Sequence, residues 1–489
     1  MDSVWPARCA CIGAVVLALL ASIAVDLHVN PVGRTRRYQL ARLRNWMALG
    51  LVYMLFYEAR YAATISNTHE MRARMGVSAA EYGSILTAGF WAYAISIALN
   101  GHRLDAIGGR AALLIGSVGC ALSCFCMGCL VREHQPPFVP LLILNVANLG
   151  FNCLAALAIL RINVNWYGKL ERGVFSGVSC SGSNGTRLEL VDQSQSLVLQ
   201  IFGAMASLGY WLALTVGSWA EADLPRGSAF FLPTALLLTV AAPLCFFVVQ
   251  DSPVQEEVPL GGLPSSEVSN TQPPQFREAL VAVLSDARVR AVILAFVGVG
   301  WAREGFLSWF GSYLEATSGV VQGGTHYTVM STAMSLASIA TSLFGGFASD
   351  RFFGSKRGPV LVGYLACSMI CLFALHLAEG HAIASVIIVP FVSSVVFACA
   401  TLLMGAAASD FVTTELAGTA SGLLNLGQYT GCGLAAQFVG LVIDATGSWR
   451  FFPAIVALGS LLASVGTARL LWLQHRAKAT PASAPPRLC

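Results

Sequence analysis

Apolar runs long enough to cross a lipid bilayer recur along nearly the whole chain, and this repetition limits the fold more than any other feature. Hydrophobic residues make up 56% of the chain and charged residues only 11%, whereas about a quarter of the residues in a soluble domain are charged. A run of about 20 apolar residues spans the hydrocarbon core as a helix. The sequence therefore predicts an all-α polytopic membrane protein in the plasma membrane or an organellar membrane.

Twelve core spans are predicted, in two groups of six that are separated by a polar stretch. The first group lies at about 45–66, 81–100, 111–131, 138–160, 199–220 and 229–249. The second group lies at about 289–314, 326–348, 358–378, 382–404, 416–442 and 450–473. We expect an N-terminal six-helix bundle at 45–249, a cytosolic linker at 250–288, a C-terminal six-helix bundle at 289–473 and a cytosolic tail at 474–489.

Two regions outside this pattern leave alternatives open. Residues 1–44 contain a short apolar run at 9–25, which could be a cleaved signal or an extra span, followed by an arginine-rich stretch. The positive-inside rule places that basic stretch in the cytosol. A polar segment at about 179–200 interrupts the fifth span. Since its backbone cannot lie unpaired in lipid, we expect an excursion outside the membrane on the cytosolic side.

Each predicted half carries one arginine about halfway along its first span, Arg60 in the first half and Arg303 in the second. An arginine at bilayer depth costs roughly 2.5–3.5 kcal/mol by insertion scales, so by default it faces a polar interior. Arg60 precedes Asp105 by about 45 residues, and Arg303 precedes Asp350 by about 47. The two halves are therefore in register, which is typical of transporters built from parallel repeats with a site at their interface.

A short charged motif follows the second span and recurs after the eighth. It consists of a glycine, an aspartate four residues later and then basic residues. We expect these charges to join helix ends on the cytosolic side in one conformation, and the alternative is ordinary loop charge. The residues concerned are Gly101, Asp105 and Arg110 in the first half and Asp350, Arg351 and Arg357 in the second.

Over about residues 45–473 the sequence resembles the organophosphate:phosphate antiporter family of the major facilitator superfamily. The best matches lie at 165–173, 251–253, 301–314 and 418–422, continuing through Gln428 and Tyr429 to Asp444. The resemblance implies twelve helices in two bundles and secondary transport by alternating access. It also implies a sugar phosphate or glycerol-3-phosphate as substrate, exchanged for inorganic phosphate.

The resemblance assigns the substrate's phosphate to Arg60 and Arg303, and guanidinium forks suit such oxyanions. This chain departs from the family pattern where Tyr61 and Ile97 replace lysines. Acidic residues stand nearby instead, and they could pair with the arginines or carry a coupling proton. The acidic residues are Glu58 and Glu304, and the tyrosines that the resemblance places along the cavity are Tyr53, Tyr57, Tyr93 and Tyr429.

Three functions remain open at this point. The first is an antiporter of a small anionic solute with inorganic phosphate as counter-substrate. The second is a proton-coupled transporter of a carboxylate or amino-acid-like solute, and the third is a membrane sensor that binds such a ligand without transport. No H-E-x-x-H, G-x-S-x-G or P-loop pattern points to an enzyme. We expect a monomer in the lipid bilayer, with no cofactor, metal or nucleic acid.

Overall fold

The computed structural model describes residues 5–14, 17, 35–100, 104, 107–133, 135–166, 207–253, 276–353, 357–407 and 417–479. Within these residues the chain is almost entirely helical. Ten of the described helices are long and apolar enough to cross a membrane, judged by length and composition. The prediction of an all-α polytopic membrane protein is therefore confirmed.

The helices follow one another in two groups. The first group is α1 (5–14), α2 (Arg36–Ile65), α3 (His69–Met75), α4 (Ala79–Asn100), α5 (Gly109–Arg132), α6 (Phe138–Trp166), α7 (207–223) and α8 (Ser228–Phe247). The second group is α9 (Phe276–Ser285), α10 (Ala287–Ser318), α11 (Thr325–Phe353), α12 (Arg357–Leu377), α13 (Ala382–Ala407), α14 (Ala417–Thr446) and α15 (Phe452–Ala479).

Two of the predicted core spans fall outside the set of ten apolar helices. Helix α2 has 30 residues, but its inner part carries Glu58, Arg60 and several tyrosines. Helix α7 is described only from residue 207 onward, and the insertion predicted at 179–200 lies outside the described residues. The number of twelve core spans thus remains a prediction.

The predicted linker is partly helical. Residues 276–285 form α9, and α10 begins directly after it at Ala287, where the Asp286 side chain accepts a hydrogen bond from the backbone N–H of Arg288. An aspartate at this position satisfies one of the unpaired N–H groups that every helix start leaves. Residues 254–275 of the predicted linker lie outside the described part of the chain.

Small residues let several helix backbones touch, as is common between membrane helices. A Cβ atom added to Gly298 of α10 would lie 2.3 Å from the backbone nitrogen of Ala463 in α15. A Cβ on Gly300 would lie 2.0 Å from the carbonyl oxygen of Gln428 in α14. Helix α10, which carries Arg303, is therefore fixed by direct backbone contact with α14 and α15.

Candidate functional site

Helix α2 is fixed around Arg60 by asparagines from α6. The side-chain amide of Asn148 donates to the carbonyl oxygen of Ala59 at 2.7 Å, and that of Asn152 donates to the carbonyl of Phe56 at 2.8 Å. A buried amide that bonds a neighbouring helix fixes both register and rotation, because the alternative is an unpaired polar group in a low-dielectric interior. These asparagines therefore set the direction in which Arg60 points.

Arg60 lies nearer to the end of its helix than the sequence suggested. Helix α2 ends at Ile65, and the short helix α3 follows after a break at Ser66 to Thr68. The prediction that Arg60 lies halfway along its helix was wrong, because α2 also extends to Arg36, beyond the predicted start of the span.

The Arg60 guanidinium is buried, with 6% of the residue exposed, and faces aromatic rings. Its Nη2 donates to the hydroxyl of Tyr429, in the other half of the chain, at 2.7 Å. Its central carbon lies 4.4 Å from the centre of the Tyr93 ring, within the range of a cation–π interaction. These contacts hold a permanent cation at the interface of the halves, and no carboxylate among the described residues is bonded to it.

Arg303 has a different environment. Its guanidinium carbon lies 5.2 Å from the ring centre of Tyr210 and 5.3 Å from that of Phe397. One guanidinium nitrogen lies 3.6 Å from a carboxylate oxygen of Glu304, its neighbour in sequence. Its Nε has no hydrogen-bond partner among the described residues. Arg303 is thus partly neutralised, yet it retains a donor that a ligand could use.

A chain of hydroxyl groups connects Glu304 to the N-terminal half. The Tyr61 hydroxyl lies 3.0 Å from Oε1 of Glu304 and 2.7 Å from the hydroxyl of Tyr210. Glu304 is fully buried, and its second oxygen has no partner among the described residues. Tyr61, which stands where the resembled family has a lysine, thus joins α2 to α10 through a hydrogen bond from an uncharged hydroxyl to a carboxylate.

Glu58 points away from this interface. It is fully buried, and neither carboxylate oxygen has a hydrogen-bond partner in the described part of the chain. A Cβ atom on Gly217 of α7 would lie 3.2 Å from its Oε2, so the side chain lies within the N-terminal bundle. Residues two apart on a helix do not share a face, which is why Glu58 does not pair with Arg60.

The remaining predicted tyrosines extend the aromatic wall of the N-terminal half. The ring centres of Tyr53 and Tyr57 are 5.1 Å apart, and their hydroxyls are 3.4 Å apart. The ring centre of Tyr57 also lies 5.0 Å from that of Tyr210. Between the two halves, the ring centre of Tyr93 in α4 lies 4.6 Å from that of Tyr429 in α14.

The charged motifs predicted to act as a gate are described only in part. Gly101 and Asp105 lie outside the described residues, as does the side chain of Asp350. The backbone N–H of Arg110 donates to the Asp251 carboxylate at 2.7 Å, and its guanidinium bonds the carbonyl of Phe246. Arg351 is exposed and Arg357 half-buried. The contacts of Arg110 lie within its own half, and the gate role remains a prediction.

At the end opposite the basic loops, helices α4 and α14 join the two halves. We call this the outer end. The Asp444 carboxylate accepts hydrogen bonds from the backbone N–H groups of Ala79 at 3.0 Å and Ala80 at 2.7 Å. A carboxylate is favourable at a helix N-terminus because the unpaired N–H groups carry partial positive charge. Deeper in the same interface, the Thr87 hydroxyl lies 2.7 Å from the carbonyl of Gly433.

A second joint of the outer end surrounds Arg72, of which only 5% is exposed. Its guanidinium bonds the side chain of Asn67 and, at 3.0 Å, the hydroxyl of Ser312 in the other half. It lies 5.4 Å from the ring centre of Trp309. The Asn67 amide donates to the carbonyl of Ser308 at 2.8 Å. Burial lowers the pKa of Arg72.

A third joint runs between α7 and α11, and its bonds also cross between the halves. Two tryptophan indole N–H groups donate to threonine hydroxyls, and two further hydroxyls lie within hydrogen-bond distance of each other. The pairs are Trp211 with Thr332 at 3.0 Å, Trp219 with Thr328 at 2.8 Å, and Thr215 with Ser331 at 2.7 Å.

Helix α1 adds a contact at the outer end. Arg8 bonds the carboxylate of Asp223, at the end of α7, and donates to the carbonyl of Gly323 at 3.3 Å, between α10 and α11. Its guanidinium carbon lies 4.9 Å from the ring centre of Trp219. Arg8 thus contacts both halves at once, which the interpretation of 9–25 as signal or span did not anticipate.

The family follows from the comparison of this chain with known proteins. The Major Facilitator Superfamily profile matches residues 49–436 and 322–487. This chain belongs to the Major Facilitator Superfamily. Among solved structures, the nucleoside transporter NupG matches with a TM-score of 0.59 and 14% identity, over 87% of this chain and 98% of NupG. An inward-facing, occupied bacterial homologue of the human lysosomal transporter Spinster matches with a TM-score of 0.55 and 15% identity, over 88% and 94% of the two chains.

Two curated relatives confirm the resemblance stated from the sequence. The membrane sensor protein UhpC of Escherichia coli strain K12 is 23% identical over 472 residues, covering 92% of this chain and 97% of UhpC. The glycerol-3-phosphate transporter of Bacillus subtilis strain 168 is 24% identical over 273 residues, covering 53% of this chain and 57% of that protein. This superfamily member is a multi-pass integral membrane protein, and its family and structural neighbours are transporters.

Proposed function

We propose that this transporter carries a small organic anion, whose charged group binds between Arg60 and Arg303. The observation that carries the proposal is their placement on the first long helix of each half, with shared neighbours. Tyr429 accepts a hydrogen bond from Arg60, and the ring centre of Tyr61 lies 5.8 Å from the Arg60 guanidinium carbon, while the Tyr61 hydroxyl bonds Glu304 beside Arg303. A sugar phosphate or glycerol-3-phosphate, exchanged for inorganic phosphate, is our first candidate, supported by the relatives named above.

The proposed mechanism follows from charge. Two arginines repel each other across an empty cavity, whereas an anion between them attracts both. Binding therefore favours the approach of the two halves, and this energy lowers the barrier between conformations in which the site opens to opposite sides. The planar guanidinium can grip two oxygens of a phosphate or carboxylate at once, which a lysine cannot do.

The net charge of the site limits the substrate. By formal charge, two arginines and the Glu304 carboxylate sum to about +1 near the interface, and Glu58 lies away from it. Such a site is better matched to a monoanion than to a dianion. Phosphate monoesters have a second pKa near 6, and both they and inorganic phosphate carry a larger monoanion fraction in mildly acidic solution, so we expect exchange to be faster there than at alkaline pH.

Arg60→Lys and Arg303→Lys test the proposed site. In proteoliposomes loaded with phosphate, each variant should lose most of its exchange activity, because lysine keeps the charge but cannot form the bidentate hydrogen bonds of arginine. Arg450→Lys, at an exposed position in the short 3-10 helix Trp449–Phe451, is the matched control and should exchange normally. Near-normal affinity in both site variants, with correct membrane insertion, would exclude the proposed role.

A second candidate is proton-coupled transport of a carboxylate or amino-acid-like solute. The observation that favours it is Glu304, which lies fully buried beside Arg303 with one oxygen unpartnered among the described residues. Under this reading Glu304→Gln should abolish the dependence of uptake on a proton gradient but leave exchange at equal pH intact. Uptake of an unphosphorylated solute at a rate that does not depend on internal phosphate would support this candidate.

The third candidate is a sensor that binds its ligand without transporting it. The similarity to the membrane sensor protein UhpC supports this candidate. Ligand binding to the purified protein, combined with no flux in proteoliposomes under either a phosphate or a proton gradient, would favour it. Measured exchange would exclude it.

A further inference from the structure

Glu58 is a buried acid that the proposed binding site does not use. No part of the residue is exposed, and neither carboxylate oxygen has a hydrogen-bond partner among the described residues. An ionised carboxylate that is removed from water without a donor or a cation beside it is strongly unfavourable, whereas a neutral carboxylic acid is far less so. The position therefore favours a carboxyl group that carries a proton.

Helices α5 and α6 bring polar groups close to Glu58 but no charge. The titratable neighbour on α5 is the thiol of Cys124, which interacts electrostatically with the carboxyl group. That thiol lies 3.7 Å from the side-chain oxygen of Asn148 in α6, to which it can donate. On α2 itself, Arg60 lies on another face of the helix. The charged residues of α5 and α6 lie at or near the ends of these helices, at Arg110, Arg132 and Arg161.

Helices α7 and α8 bring no free charge either. Helix α8 contains no Asp, Glu, Lys, Arg or His over Ser228–Phe247. The charged residue of α7 nearest to Gly217 is Glu221, and its oxygens accept hydrogen bonds from the backbone N–H groups of Gly227 at 3.3 Å and Ala229 at 2.9 Å. Within the described part of the chain, no charged side chain acts on the Glu58 carboxyl group.

A segment of π-helix in α7, Leu212–Gly217, lies between α2 and α11. A Cβ atom on Gly217 would lie 3.2 Å from Oε2 of Glu58, so at this residue only the backbone of α7 covers the carboxyl group. In the same segment, Thr215 lies 2.7 Å from Ser331 of α11, across the boundary of the halves. Such π-helical segments are rare and occur frequently at functional sites. The layer that covers Glu58 is therefore also part of the joint between α7 and α11.

Opening of the outer end must break this joint, because its bonds cross between the halves. The π-helical segment then faces water on the side that α11 had covered. At Gly217 only backbone stands between that water and Glu58. Water that reaches the carboxyl group removes the desolvation that disfavours its ionised form.

We infer that Glu58 is a proton-binding site of the N-terminal bundle, which holds a proton while the outer end is closed and releases it when the outer end opens. The site is separate from the two arginines and from Glu304. It does not depend on which substrate the transporter carries, and it makes the conformational equilibrium depend on pH.

The sign of this dependence follows from linkage. The closed state binds one more proton than the open state, so a rise in pH favours the open state and a fall in pH favours the closed state. For one proton, the ratio of open to closed molecules changes by at most about tenfold per pH unit.

The experiment measures this ratio without substrate, with spin labels at His69 and Val321, two exposed positions in opposite halves. In the wild type the labels should move apart as the pH rises from mildly acidic to alkaline. Glu58→Gln resembles the protonated acid in shape and charge, so it should stay closed over the whole range. Glu133→Gln, at an exposed position after α5, is the matched control and should follow the wild type.

Infrared spectroscopy of the same samples identifies the group that carries the proton. The closed wild type should show a carboxylic-acid C=O band that Glu58→Gln lacks, and the band should weaken as the labels move apart. Glu304→Gln should keep both the band and the pH dependence, which separates this site from the proton-coupled function described above.

Two results would overturn the inference. A wild-type label distance that does not change with pH would show that opening releases no proton, and this measurement needs no variant. A pH dependence that persists in Glu58→Gln would assign the proton to another group. Neither result bears on the binding of an anion by Arg60 and Arg303, which the phosphate-exchange experiment tests by itself.

Discussion

The outer end and the predicted cytosolic end of the molecule are held together in different ways. At the outer end, the Asp444 carboxylate accepts hydrogen bonds from the other half, and Arg72 and Thr87 donate hydrogen bonds across the halves. At the cytosolic end, the described bonds join residues of the same half: Asn45 exchanges two bonds with the backbone of Gln250, to which Trp166 also donates, and Arg290 donates to the carbonyl of Leu284. Within the described residues, the structure is thus closed at the outer end.

This difference indicates where the energy that separates the two conformations lies. Opening the outer end must break buried hydrogen bonds between the halves, whereas the described bonds of the cytosolic end can persist as each half moves as a body. An alternating-access protein shifts between its states only as far as the differences in free energy allow. Variants of the outer end should therefore change the conformational equilibrium, and variants of the N-terminal cytosolic cluster should change the stability of that half.

The largest effect is expected from Gly440→Val, which tests the closeness of α4 and α14. A Cβ at this position would lie 2.4 Å from the carbonyl oxygen of Ala79, and a backbone atom cannot rotate away. The outer end should fail to close, transport should be lost, and spin labels at His69 and Val321, in opposite halves, should move apart. Gly422→Val on the same helix, where a Cβ meets nothing within 4 Å, is the control. Unchanged label distances in Gly440→Val would contradict this account.

An intermediate effect is expected from Arg72→Gln. Hydrogen bonds to a charged group contribute about 1.5–3 kcal/mol, so loss of the guanidinium should favour the outward-open state by roughly tenfold or more. The same label pair reports the populations. Arg74→Gln, on the same short helix but with its side chain 34% exposed, should leave them unchanged. If both variants behave alike, the bond between Arg72 and Ser312 does not hold the outer end closed.

The smallest effect is expected from Arg8→Gln. Arg8 itself is buried, but the side chain of its partner Asp223 is 52% exposed, and exposed ion pairs contribute only about 0.2–1 kcal/mol. The outward-open population should rise by no more than about fivefold, and the rise should shrink in high salt because the pair is screened. Asp223→Asn should reproduce the effect. A shift as large as that of Arg72→Gln would mean that α1 is a principal part of the closure.

The helical fold could be predicted from the sequence because the main signal, the apolar run of each span, is local. Each apolar run predicts a helix by itself. An arginine within such a run predicts a polar protein interior around it, whichever residues turn out to surround it. The polytopic helical architecture and the buried surroundings of Arg60 and Arg303 could therefore be predicted, while the superfamily was indicated by the family resemblance. The roles assigned to Arg60, Arg303 and the tyrosines have not been tested and stay predictions.

The contacts between the halves could not be predicted, because they depend on which helices meet. Nothing in the sequence near Tyr61 indicates that its hydroxyl reaches Glu304, 243 positions away. Asn148 and Asn152 gave a signal that could have been read, since two amides four residues apart in an apolar run predict a polar contact on one helix face.

The contact of Arg8 implies that proteolytic removal of the N-terminus would change how the outer end of the transporter is held closed. If the chain is cut after the apolar run at 9–25, the mature protein lacks Arg8 and with it the bonds to Asp223 and Gly323. Retained and cleaved chains would then share the binding site but differ modestly in how often the outer end is open. Cleavage would act once and irreversibly, so the mass of the mature N-terminus would report which form a given membrane receives.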